Sequence, residues 1–255
     1  MTRLLLTLAF LLLAPASFAQ TGPLNVNLGP DLLSSERLFQ VIALVTVLSV
    51  APSLLLMVTS FTRLIIVFGF LRSALGLQSS PPNAVLVGLA LFLTSFIMAP
   101  TFKLAWEDGL SPYINQQITE EQAFQRTTQP FARFMLANVR ENDLALFTGF
   151  LPEEDQRAMV LPGPGVAPET ISVPLQALVP AFMISELRRA FEIGFLVFLP
   201  FLVIDLAVAS ILMSMGMMML PPVTISLPFK IIFFVLVDGW NLLTGSLIQS
   251  FQPPL

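Results

Sequence analysis

ELRRAFEIGFLVFLPFLVIDLAVASILMSMGMMMLPP, residues 186–222, opens with a charged helical turn and continues as the longest near-continuous apolar run after the N-terminal leader. A hydrocarbon core takes roughly 20 apolar residues to cross, and Phe191 to Met213 meets that length. One acid, Asp205, lies inside the run, and the run ends in a methionine cluster. A carboxylate there is costly, so it marks either a functional site or a pair with a neighbouring helix. The methionines either fill core gaps or serve where flexible apolar side chains are needed. In the charged turn, Glu186 and Arg189 are three apart and Arg188 and Glu192 four apart, so each pair shares a helix face.

Working outward, the chain has 255 residues, of which 55% are hydrophobic and 11% charged, a membrane-protein composition. Residues 101–185 hold ten of the 16 acids and five of the 12 bases, so the acidic balance sits in one polar insert. Nothing in that balance points to nucleic acid. Cysteine and histidine are both absent. That excludes disulfides, thiolate or imidazole metal sites and Ser-His or Cys-His catalysis.

Residues 1–19 read as a secretory signal peptide, with basic Arg3, an apolar Leu4–Leu13 and small residues at Ser17 and Ala19. Residues 20–38 form an exposed lead-in. Residues 39–100 form a first helical hairpin block, with spans from about Phe39 to Thr59 and from Ala84 to Pro100. Between them Arg63 and Arg72 flank an apolar stretch too short to cross again. This basic hairpin is either a face for a partner or a cytoplasmic topology signal.

Residues 101–185 read as an extracytoplasmic, mainly helical insert. PFARFMLANV has helical spacing at Phe131, Phe134, Met135 and Val139, and LPGPGVAPETISVP (161–174) reads as loop. Residues 186–255 form a second helical block containing the third span and a fourth from about Phe229 to Ile248. Lys230 stands near the start of the fourth and Asp238 inside it. The fold class is therefore all-α, with four main apolar helical segments, kinked and hairpin-like, and a small polar insert. Alternating spans place Arg188 and Arg189 on the outer side, against the positive-inside tendency. Much of the apolar surface is accordingly expected to face other subunits.

The candidate chemistries are sparse. Asp205 and Asp238 as an aspartyl-protease pair lack a Gly-x-Gly-Asp, since the second acid lies in LVDGW. Ser226 and Lys230 have Ser-Lys dyad spacing, but Pro228 stands between them. Proton or ion movement through Asp205, Lys230 and Asp238 competes with a buried structural ion pair. We expect Glu186 to be the acid that pairs with Lys230, within one subunit or between two.

Two long blocks, SFTRLIIVFGFLRSALGLQSSPPNAVLVGLALFLTSFIMAP (60–100) and PAFMISELRRAFEIGFLVFLPFLVIDLAVASILMSMGMMMLPPVTISLPFKIIFFVLVDGWNLL (180–243), closely resemble the two signature blocks of the FliP family of flagellar type III export-gate proteins. The resemblance implies a non-enzymatic role without cofactors. It implies a homo-oligomer, a pentamer, assembled with FliQ- and FliR-type gate subunits in the bacterial inner membrane within the flagellar basal body. The ring would pass unfolded flagellar proteins, and its methionine constriction would fall on Met217, Met218 and Met219. Injectisome homologues share the pattern, and a proton-conducting channel is the rival from another class.

The leader gives the first test. N-terminal sequencing of the membrane-extracted protein should read from Gln20; a retained Met1 or Thr2 would count against cleavage.

Overall fold

A computed structural model of the chain describes residues 56–160, 172–217 and 220–251, with single positions between 39 and 53. The leader, the lead-in, scattered positions of the first expected span and residues 161–171 lie outside the described residues. At the described positions between 39 and 57 the backbone is helical. The chain divides after Val50, and the features below belong to the unit Ala51–Leu255. Among the described residues it is built from helices, with one isolated bridge, Val160 to Ser172.

Helix α1, Phe61–Ala74, buries Arg63, Leu64, Val67, Phe68, Leu71 and Ala74, the one-sided stripe of a 3.6-residue period. Gly76 ends it at φ 76°. The Gly76 N–H reaches the Ser73 carbonyl at 3.0 Å and the Leu77 N–H the Arg72 carbonyl at 3.2 Å, a Schellman cap. Arg72 then donates to Asn83 Oδ1 and so closes the turn onto the next helix.

Helix α2, Asn83–Leu104, was expected to stop at Pro100 but carries the proline inside it. It continues through a π-helical segment, Ala105–Leu110, and a short α3, Ser111–Ile114. A Cβ on Gly109 of the π segment would lie 2.2 Å from Thr127 Oγ1, so glycine permits the close approach to α4. Helix α4, Glu120–Asn138, starts with a capping box between Thr119 and Gln122. It turns Phe134 and Met135 into the core and half-buries Phe131 and Val139, as their spacing indicated. Short helices α5, Glu141–Thr148, and α6, Glu153–Ala158, complete the insert.

Helix α7, Leu175–Ser214, is 40 residues long with Pro180 and Pro200 inside it. It begins well before the expected span, within what reads as polar insert. α1, α4, α5 and the next helix, α8 (Pro222–Leu236), all pack on it. The fourth expected span is broken. α8 ends near Val237, Asp238 adopts φ 51°, and α9, Gly239–Gln249, leaves at 62°. Among the described residues two helical runs, Asn83–Ile114 and Leu175–Ser214, are long and apolar enough to cross a membrane, or three with the bent pair.

The α1–α7 contact is tight at Gly194, where an added Cβ would fall 2.4 Å from Phe70 Cδ2 and 2.6 Å from Cγ. Phe70 also meets Phe191 edge-on at 5.1 Å, so its ring has little room to withdraw. Gly194→Ala should cost about 1–3 kcal/mol through overpacking, read as a lower melting temperature in detergent. Adding Phe70→Leu should return part of the loss. An unchanged Gly194→Ala melt would contradict the close packing.

Candidate functional site

Arg63, one turn into α1, is fully buried. Its Nε donates to Glu186 Oε2 of α7 at 2.7 Å, and its Nη2 donates to Glu186 Oε1. Nη1 donates to Ser250 Oγ at 2.8 Å and to the Ser250 carbonyl at 3.1 Å, just beyond α9. The guanidinium carbon lies 3.7 Å from the Phe251 ring centroid, a cation–π contact. Phe251 stacks on Phe134, which meets Phe182 of α7 edge-on. One planar cation thus joins α1, α7 and the segment after α9. Such two-pronged recognition of a carboxylate needs arginine's fork, not an ammonium.

Lys230 of α8 is also buried, but its carboxylate is Asp205 of α7, at 2.6 Å. Its Nζ donates further to the carbonyl of Ala74, the last residue of α1, at 3.0 Å. Ser226, one turn earlier on α8, donates to the other oxygen of Asp205. Lys230 acts here as a donor to two oxygens, and the Ser226 hydroxyl is engaged by the acid. This is an ion-pair cluster and not a nucleophile with its base.

These contacts correct three expectations. Glu186 does not pair with Lys230 in the chain, because Arg63 occupies both its oxygens. Arg63 is not part of a basic surface, although Arg72 does sit at the hairpin. Asp238 is not a buried charge; it is exposed at the α8–α9 break, where its Oδ2 accepts from Asn241 at 3.1 Å. The Lys230–Asp205 pair had a signal in the sequence. The two residues stand equally far either side of the Met217–Met218 bond, as residues facing each other across a hairpin do. Arg63 and Glu186, 123 residues apart, offer no such signal.

The insert is clasped to α7 by contacts that went unforeseen. Ser185 Oγ accepts from the Arg140 N–H at 3.1 Å and donates to Asp143 Oδ2 at 2.7 Å. Arg140 pairs with Glu192 at 2.5 Å, and Arg188 stands 3.9 Å from Asp143.

At its far end α7 closes on Gly216, φ 75°, with the Gly216 N–H on Met213 O (3.1 Å) and the Met217 N–H on Leu212 O (3.0 Å). This Schellman cap, not the following prolines, stops the helix; Pro222 occupies the first turn of α8. Met217 lies in the loop and Met215 at the cap, both exposed, beside a groove lined by Leu212, Met213 and Leu220. Met218 and Met219 lie outside the described residues.

Removing one partner of a fully buried pair leaves an uncompensated charge, so Arg63→Ala or Glu186→Ala should each cost about 3–5 kcal/mol. Arg63→Met with Glu186→Leu should cost less than either alone. Assembly lost in Lys230→Glu should return in part with Asp205→Lys and not with Glu186→Lys, read as complex recovered in detergent. Rescue by Glu186→Lys would reinstate the other pairing.

A model of the FliP family matches residues 44–247. The flagellar biosynthetic protein FliP of Caulobacter vibrioides is 55% identical over 93% of this chain and 85% of its own length. That of Agrobacterium fabrum is 52% identical over 99% of this chain and all of its own length. That of Bacillus subtilis is 49% identical over 92% of this chain and 97% of its own. With the match covering most of its length, this chain belongs to the FliP family.

Proposed function

We propose that copies of this chain form a ring, a pentamer, which with FliQ- and FliR-type subunits makes the inner-membrane pore through which unfolded flagellar proteins are exported. Family membership makes the chain a flagellar biosynthesis protein of the flagellar export apparatus, and its long apolar helices make it a membrane protein of that apparatus. The ring, the partners, the basal-body location and the pore are our reading, as is the absence of an enzymatic step.

The observation that carries the pore is the turn after α7. Gly216 stops the helix and leaves Met215 and Met217 exposed at the α7–α8 tip, in a sequence that continues with Met218 and Met219. Met215 and Met217 are thereby left outside the core. Repeated around a ring they would converge and form a dry constriction that excludes ions by dewetting. Thioether chains are flexible, so one seal could reshape around varied polypeptides. The flagellar names of the relatives favour export of flagellar proteins over an injectisome. The contacts of Asp205 with both Lys230 and Ser226 favour a structural pair over a proton path.

Replacing Met217, Met218 and Met219 together by alanine should leave an assembled complex with a wider, wetter opening. Cells should leak small ions, and planar bilayers should show conductance, while export persists with a poorer seal. An assembled triple-alanine complex without leak would sink the gate assignment.

A further inference from the structure

The charged residues at the head of α7 are matched, with one exception. Glu186 holds Arg63, Glu192 holds Arg140, and Arg188 lies near Asp143. Arg189 is half-buried and makes no hydrogen bond or close ion pair among the described residues, although Glu186 and Glu192 lie near enough to act on its charge. The nearest acids on its own helix, Glu186 and Glu192, are engaged elsewhere.

Arg189 also heads an uncovered stripe. Leu196 and Val203 follow it at seven-residue steps, which keeps all three on nearly one line of a helix. Both apolar members are 63% exposed. A surface that brings apolar side chains along the stripe and a carboxylate at its head would complement this line.

The chain carries such a surface on a different face. Its insert has ten acids against five bases. At the turn between α5 and α6, Phe150 is 82% exposed. Four residues on, Glu154 is exposed with no partner among the described residues, whereas its neighbour Glu153 already pairs with Arg157.

We propose that the Arg189 stripe of α7 receives the α5–α6 turn of a second copy of this chain, with Phe150 against Leu196 and Val203 and Glu154 on Arg189. The inference rests on the ring reading above and names the contact that would close the ring. The two surfaces are different patches of one chain, so the contact is head-to-tail, the kind that generates rings. The apolar part supplies the area, and the ion pair at its edge sets the register.

Because the chain has no cysteine, paired cysteines report the contact without background. The full chain, expressed with its gate partners and carrying Leu196→Cys and Phe150→Cys, is oxidised in membranes and resolved without reductant. The expected result is a ladder of disulfide-linked copies, with neither single-cysteine variant giving one. In a second arm, Arg189→Glu should lower ring recovery about fivefold, a typical loss for a partly exposed pair. Adding Glu154→Arg should restore most of it, which also shows that the reversed chain folds. Rings that form normally but give no disulfide between copies, or one only within a chain, overturn the contact and leave the ring reading standing. Wild-type protein that yields no ring at all overturns the reading on which the contact rests.

Discussion

The buried guanidinium of Arg63 is the constraint on which the helical arrangement depends. Taking an arginine and a glutamate out of water costs several kcal/mol per ion, and mutual attraction returns this only when geometry and further hydrogen bonds are good. Here the carboxylate takes two bonds, Ser250 takes two more, and an aromatic ring covers the face. The arrangement has few alternatives. Apolar stripes on α1 and α7 slide past each other at little cost, since one leucine contact resembles another. A fork that must meet Glu186 and Ser250 together defines the register.

The second pair extends that constraint to the other end of α1. Lys230 binds the carbonyl of Ala74 at the negative end of the α1 dipole, and the same ammonium binds Asp205 on α7. α1 is thus held near its start by a cation of its own and at its end by a cation from α8. At about 1.5 Å per residue its 14 residues span about 21 Å, and over that distance α7 has little freedom to shift. The Gly194–Phe70 contact belongs to this interface. Backbone and ring can approach so closely there because Gly194 carries no Cβ.

Much of the helix content was legible in the sequence, since runs such as 191–213 and the spacing of Phe131, Phe134, Met135 and Val139 depend on local periodicity. Helix ends were harder to read. The second span was expected to end at Pro100, yet that proline lies inside its helix, as Pro180 and Pro200 lie inside α7. The break at Asp238 was missed in the opposite direction. Hydropathy stays high on both sides of it, and the signal is a backbone conformation, φ 51° at one residue, which a hydropathy window cannot register. Of the site, the charged residues were visible as costly exceptions in apolar surroundings. Their partners were not, because the choice between Arg63 and Lys230 for Glu186 is made by tertiary placement. The clasp of Arg140, Asp143 and Ser185 was hidden in a polar segment where such residues are ordinary.

The same pairings bear on the orientation of the chain. Counting Arg188 and Arg189 as free cations beside a span starting at Phe191 puts two positive charges on the outer side, against the usual bias. The helix begins instead at Leu175, so both arginines lie well inside it. Arg188 leans toward Asp143, and the neighbouring arginines Arg63 and Arg140 are bound to acids of α7 itself. A cation matched by an acid from the same fold is a poor topology signal, since the two move as a neutral unit. The anomaly therefore weakens for Arg188, whose partner is known, and Arg189 remains the cation without a close ion pair among the described residues. What remains is a long apolar arc of α7 from Phe191 to Met213, which leaves aromatic and aliphatic side chains outside. A soluble helix does the reverse. Lipid or other protein must cover that arc, and the charges of α7 are placed so that either can.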